Sequence, residues 1–136
     1  MQNFLPTRLR RNRKAPWMRE LIAETVLRPQ DLILPIFVVE GKNVTQKIEK
    51  LPDVNRLSID LVVKQAKIAR DLGIPALMLF PVVEQKLKTT DGIEAFNAKN
   101  LMCRAVREIK KHVPEIGVIC DVALDPYTSH GHDGVL

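Results

Sequence analysis

Three short apolar runs at regular spacing constrain this chain more than any other feature. Residues 32–39 read Leu-Ile-Leu-Pro-Ile-Phe-Val-Val, an unbroken run rich in β-branched residues. Ala76 to Phe80 and Gly117 to about Val122 follow at intervals of roughly 40 residues, the length of a βα repeat. Between the runs the apolar period changes to that of a helix. Ile59, Val62, Val63, Ala66 and Ala69 mark one helix, capped by Ser58 and stopped by Gly73. Leu101, Met102, Ala105, Ile109 and Val113 mark a second, spanning about Ala98 to Val113 and stopped by Pro114. Continuous apolar strands joined through helices pair in parallel and are covered on both faces. Pro35 conflicts with a central strand, since it has no ladder donor, and predicts an irregularity or a free edge.

The connections are unequal. Gly41 to Leu57 and Glu84 to Phe96 are long and polar and leave the C-terminal ends of strands, so both read as loops. Gly73-Ile-Pro75 and Pro114-Glu-Ile116 are short returns. That asymmetry favours a TIM-type barrel over a doubly wound sheet. Glu40-Gly41-Lys42 after the first strand is neither a dinucleotide fingerprint nor a P-loop. The expected fold is α/β: the first three strands, about three βα units, of a (β/α)8 barrel over residues 31–136, preceded by an arm over residues 1–30. Three strands of eight do not close a barrel. An apolar inner face, assigned here to Ile33, Ile36, Val38, Leu77, Leu79 and Val118, is expected to drive association.

Charge separates the arm from the body. Residues 1–30 hold seven Lys/Arg and two Asp/Glu, whereas the remaining 106 residues hold fourteen of each. Arg8, Arg10, Arg11, Arg13 and Lys14, with Pro6 and Pro16, describe a basic extended arm, followed by a short helix from Trp17 to Val26. Such an arm suits nucleic acid, anionic lipid, or acidic groups of a partner subunit or of the same chain, or it is simply solvated; the resemblance given below favours docking. No stretch approaches the roughly 20 apolar residues of a membrane span, and the N-terminus has no secretory apolar run, so a cytoplasmic protein is expected. Cys103 and Cys120, with no Cys-x-x-Cys spacing, read as buried free thiols. His112, beside Lys110 and Lys111 at a helix end, reads as a surface residue.

The densest chemistry follows the third run. Asp121-Val-Ala-Leu-Asp-Pro-Tyr-Thr-Ser-His-Gly-His-Asp-Gly134 places three carboxylates and two imidazoles in one glycine-bounded loop at a strand's C-terminal end. A lone aspartate there turns the chain or caps a helix. Asp121 and Asp125 together with His130, His132 and Asp133 indicate a site for acid, base or metal chemistry. Oxygen and nitrogen ligands without thiolates suit magnesium, manganese or zinc without demanding any of them. Phe80 ends the second strand, where an aromatic is more often plain core but is also a candidate to line a pocket.

These residues carry a family resemblance. Arg8-Leu-Arg-Arg-Asn12, Arg19-Glu-Leu21, Leu34-Pro-Ile-Phe-Val38 with Glu40-Gly41, Leu79-Phe-Pro-Val82 and above all the 121–134 loop resemble the N-terminal portion of porphobilinogen synthase, or 5-aminolevulinate dehydratase. The resemblance implies a (β/α)8 barrel whose arm wraps a neighbouring subunit in a homo-octamer. It implies a lyase that condenses two 5-aminolevulinate molecules to porphobilinogen in tetrapyrrole synthesis, without nucleic acid, membrane or organic cofactor. Asp121 matches the family's proton-transfer and amine-orienting aspartate; Phe80, from its place at the strand end, is the candidate substrate-binding residue.

Zinc-dependent members carry three cysteines where this chain has Ala123, Asp125 and Asp133. The chain therefore resembles the aspartate-rich branch, which implies magnesium ahead of zinc, with Asp125 and Asp133 as the metal residues. The family's two Schiff-base lysines lie on later strands, so residues 1–136 alone are expected to be inactive, and Lys42, Lys86 and Lys88 are not expected to replace them. Two other readings compete: a short non-catalytic assembly or regulatory partner, and an unrelated metal-dependent barrel hydrolase using the His-Gly-His-Asp cluster.

Overall fold

The computed structural model describes residues 10–134. Its centre is a parallel ladder of the three apolar runs: β1 (Ile33–Val39), β4 (Ala76–Pro81) and β5 (Gly117–Cys120). Two further strands, β2 (Thr45–Lys47) and β3 (Asn55–Ser58), give a five-stranded sheet in the order β2-β3-β1-β4-β5. β3 runs parallel to β1 and antiparallel to β2. The expectation of three strands, with Gly41 to Leu57 as loop, is thereby corrected. Polar strands of three and four residues have no apolar signature; β2 is exposed throughout and exists by pairing rather than burial.

The β3 ladder begins at Phe37, so the first half of β1 has only β4 beside it. Pro35 falls in that half, opposite Met78, where an unsatisfied neighbour does not arise. The conflict in the sequence is met by a free edge.

α1 (Pro16–Leu21) begins on a proline and ends five residues before the expected Val26. Arg11–Arg13 form a 3-10 turn rather than extended chain. Arg8 and the rest of residues 1–9 lie outside the described residues. α2 (Ile59–Asp71) and α3 (Leu101–His112) are the two crossover helices. Ser58 occupies the N-cap of α2, but its hydroxyl does not cap the helix. It accepts from Val44 N–H at 2.9 Å and donates to Asp60 at 2.6 Å, while Asp60 accepts from Asn43 N–H at 3.1 Å. The network holds the Asn43–Val44 turn against the helix start and lowers the Asp60 pKa, chiefly through the Ser58 hydroxyl.

Gly73 has φ +81 and closes α2, with Ile74 N–H bonded to Ala69 O at 2.9 Å. Asn100 caps α3 by accepting from Cys103 N–H at 2.8 Å.

Both helices pack on one face of the sheet, in one core built from Ile36, Val38, Val62, Val63, Ala66, Leu77, Leu79, Leu101, Ala105, Ile109, Val113 and Ile116. β1, β4 and β5 are neighbours in chain order, and both crossovers lie on the same side. That is the single winding of a barrel wall; a doubly wound sheet reverses its order and covers both faces.

The other face is open. It carries Ile33, Pro35 and Phe37 from β1, Ala76, Met78 and Phe80 from β4, and Gly117 and Ile119 from β5. The expected inner face is therefore corrected: Ile36, Val38, Leu77, Leu79 and Val118 lie under the helices, and of the residues named only Ile33 belongs to the open side. Side chains alternate along a strand, so a run that is apolar at every position leaves the choice of face to packing.

Both cysteines are unpaired, Cys103 half-buried and Cys120 exposed, so the second is not the buried thiol expected. His112 is a surface residue, with its ring Nδ1 2.9 Å from Glu108 O. No helix of the described residues is long and apolar enough to cross a membrane.

Candidate active site

The open face ends in a row of side chains. The register pairs Arg56 with Phe37 and Phe37 with Phe80. It also pairs Leu79 with Cys120, which puts Asp121 next in line beside Phe80. Phe37 and Phe80 touch, with ring centroids 5.5 Å apart. Across the C-terminal ends of the parallel strands the sheet thus presents a guanidinium, two aromatic rings and a carboxylate. Such a row can hold a small molecule with an apolar body between anionic and cationic ends. Asp121 is exposed, and no hydrogen bond occupies its carboxylate among the described residues. Arg56 was not foreseen, because the strand that carries it has no sequence signal.

The 121–134 loop is organised from within. The Asp133 carboxylate accepts from the N–H groups of Leu124 at 2.6 Å and Asp125 at 2.9 Å. Thr128, 2% exposed, donates through its hydroxyl to His132 O at 3.0 Å. Tyr127 is buried, and burial raises its hydroxyl pKa. The loop is also tied to the β4–α3 connection. Thr89 N–H donates to Tyr127 O at 3.2 Å, Ser129 N–H donates to Thr89 O at 2.9 Å, and the His130 ring lies 3.1 Å from Thr90 O. His130 and His132 stack at 5.9 Å. Both imidazoles therefore have contacts that shape the loop, and His130 serves it as a strut.

The expected metal residues are not gathered into a ligand set. Among the described residues no three His, Cys, Asp or Glu side chains converge on a common point. One carboxylate oxygen of Asp133 is already engaged by two backbone donors, while among the described residues no hydrogen bond engages the Asp125 carboxylate. Among the described residues these side chains do not by themselves make up a ligand set.

The loops between the strands and helices are braced at the rim. Arg104 of α3 pairs with Glu40 at the end of β1 and donates to Lys99 O at 2.9 Å. The cavity between Glu40, Glu84, Glu94 and Tyr127 is about 10 Å³, room for one water and no more. Lys86 pairs with Glu84 at 2.6 Å, a contact that raises its pKa. An imine-forming amine needs the opposite shift, so Lys86 has the wrong environment for that role.

The family model described as Delta-aminolevulinic acid dehydratase matches residues 6–136. The chain is 52% identical over 132 residues to the delta-aminolevulinic acid dehydratase of Bradyrhizobium diazoefficiens, covering 97% of this chain and 37% of that protein. It is 47% identical over 131 residues to the enzyme of the same name from Chlamydia pneumoniae, covering 96% of this chain and 40% of that one. The crystal structure of delta-aminolevulinic acid dehydratase from Toxoplasma gondii, in complex with the reaction product porphobilinogen, superposes with a TM-score of 0.84 at 40% identity. It covers 97% of this chain and 37% of that one. The chain thus spans two fifths or less of the length of these relatives. An unrelated barrel hydrolase is set aside, and the chain belongs to the delta-aminolevulinic acid dehydratase family.

Proposed function

We propose that the protein carrying this segment is a porphobilinogen synthase, a hydro-lyase that condenses two 5-aminolevulinate molecules with loss of water, and that this chain supplies one wall of its active site. The observation that carries the reading is the row Arg56, Phe37, Phe80, Asp121 across the strand ends. 5-Aminolevulinate has a carboxylate at one end, an amine at the other and a short apolar chain between. Asp121 orients the amine and moves protons at it as pyrrole formation proceeds. Phe80, with Phe37 behind it, packs against the methylene chain and excludes water. The amines that would bind the substrate ketones covalently are not assigned to any lysine of this chain.

Magnesium, expected from the resemblance, would find the Asp125 carboxylate free but would need further ligands from elsewhere, and the same holds for zinc. The arm, with Trp17 64% and Leu21 78% exposed on α1, is proposed to dock on a second subunit of an oligomer, an octamer by the family pattern. A cytoplasmic location is proposed with it; several plant relatives are named as chloroplastic.

The test is porphobilinogen formation from 5-aminolevulinate by the protein carrying this segment. Asp121→Asn should leave its yield unchanged and lower turnover about 100-fold, the scale of losing a positioned acid or base. Near-normal turnover would remove Asp121 from the mechanism. Residues 1–136 alone should form no product and trap no substrate on borohydride reduction. A reduced adduct on any of their lysines would overturn the placement of the covalent amines, and an inactive complete protein would favour a non-catalytic assembly partner.

A further inference from the structure

We propose that Asp133 is a positioning residue, a backbone clasp that closes the 121–134 loop, and not a ligand to a metal ion. Its Oδ1 accepts from Leu124 N–H at 2.6 Å and from Asp125 N–H at 2.9 Å. A carboxylate oxygen has two in-plane lone pairs, and two donors at these distances use both on Oδ1, while Oδ2 accepts no hydrogen bond among the described residues and has no two further His, Cys, Asp or Glu side chains gathered around it. The donors are eight and nine residues earlier in the chain, so the carboxylate joins the two ends of the loop.

Three further bonds act in the same sense. Thr128 N–H and Tyr127 N–H donate to Leu124 O at 3.1 and 2.8 Å, and the Thr128 hydroxyl donates to His132 O at 3.0 Å. The segment from Leu124 to Asp133 is closed by its own groups. No set of three potential ligands converges among the described residues, so nothing in the loop's geometry requires a cation to hold it.

The clasp lies three and four residues after Asp121. Fixing the amides of Leu124 and Asp125 fixes the course of the chain as it leaves β5, and with it the directions of the Asp121 and Asp125 side chains. That consequence for the reaction rests on the function proposed above; the clasp itself does not.

The charge of Asp133 is not what the clasp needs. An asparagine keeps an oxygen that accepts both N–H groups, whereas a catalytic carboxylate fails on the same change and a magnesium ligand loses the anionic charge that strengthens cation binding. The experiment compares Asp133→Asn and Asp133→Ala in the protein carrying this segment, with hydrogen exchange at the Leu124 and Asp125 amides and porphobilinogen formation as readouts, each with and without added magnesium chloride.

Asp133→Ala should speed exchange at both amides about tenfold, the effect of losing a charged acceptor, and magnesium should not reverse it. Asp133→Asn should keep exchange within about threefold of the parent and retain most of its turnover. Unchanged exchange in Asp133→Ala would overturn the clasp. Equal loss of turnover in both variants, together with weakened magnesium binding, would make Asp133 a ligand and also overturn it. Exchange behaving as stated in a parent protein that forms no porphobilinogen would uphold the clasp and sink the functional reading alone.

Discussion

Leu79 and Phe80 are adjacent on β4 and point to opposite faces, so cutting each to alanine should produce unequal damage. Leu79 is 0% exposed and sits in the core between the sheet and the two crossover helices. Truncation to alanine removes three carbons, about 2.4 kcal/mol of transfer free energy, and the cavity left behind raises the total to about 3–4 kcal/mol. Phe80 is half-buried on the open face, and its ring meets Phe37 at 5.5 Å. Its loss forfeits an aromatic pair of about 0.5–1.5 kcal/mol and a fraction of the ring's burial, for a total of about 1–2 kcal/mol.

The assay is urea unfolding of the 136-residue chain followed by far-ultraviolet circular dichroism. With a slope of about 2 kcal/mol per molar urea, Leu79→Ala should lower the midpoint by about 1.5–2 M and Phe80→Ala by less than about 1 M. Equal midpoints, or a larger shift for Phe80→Ala, would refute the assignment of faces and with it the row that places Phe80 beside Asp121.

Two further outcomes follow from the network at the start of α2. Ser58→Ala should destabilise the same chain by about 1–3 kcal/mol, because Ser58 is 0% exposed and its loss leaves the Val44 N–H without its acceptor; an unmoved urea midpoint would show that this bond contributes nothing. The folded pKa of Asp60 is depressed below its ordinary 3.8, so its stabilising effect is present above that value and is lost as pH falls through the folded pKa. Asp91 and Glu115 are lowered too, so the test is the difference between the parent and Asp60→Asn: it should be constant at neutral pH and shrink only below about pH 4. A difference that grows on acidification would contradict the direction assigned to Asp60.

The sequence by itself determined the alternation of strand and helix, because the period changes from continuous apolar to helical and the stops are chemical. Gly73 has the positive φ that ends α2, and Pro114 follows the C-cap Val113 of α3. It determined the family as well, through a loop whose residues from Asp121 to Gly134 are too particular to arise from burial alone. Tertiary structure decided the rest. β3 exists because β1 offers it an edge and β2 because β3 does, and no local pattern marks seven polar or mixed residues as strands. The inner face went to Phe37, Met78, Phe80 and Ile119 because a run that is apolar at every position has no alternation to read, so register and helix packing chose its parity. The partners Arg104 and Glu40 are 64 residues apart in the chain. Asp133 reads as a candidate ligand in the sequence and as a clasp in the fold, since a carboxylate's role depends on which donors the folded backbone brings to it.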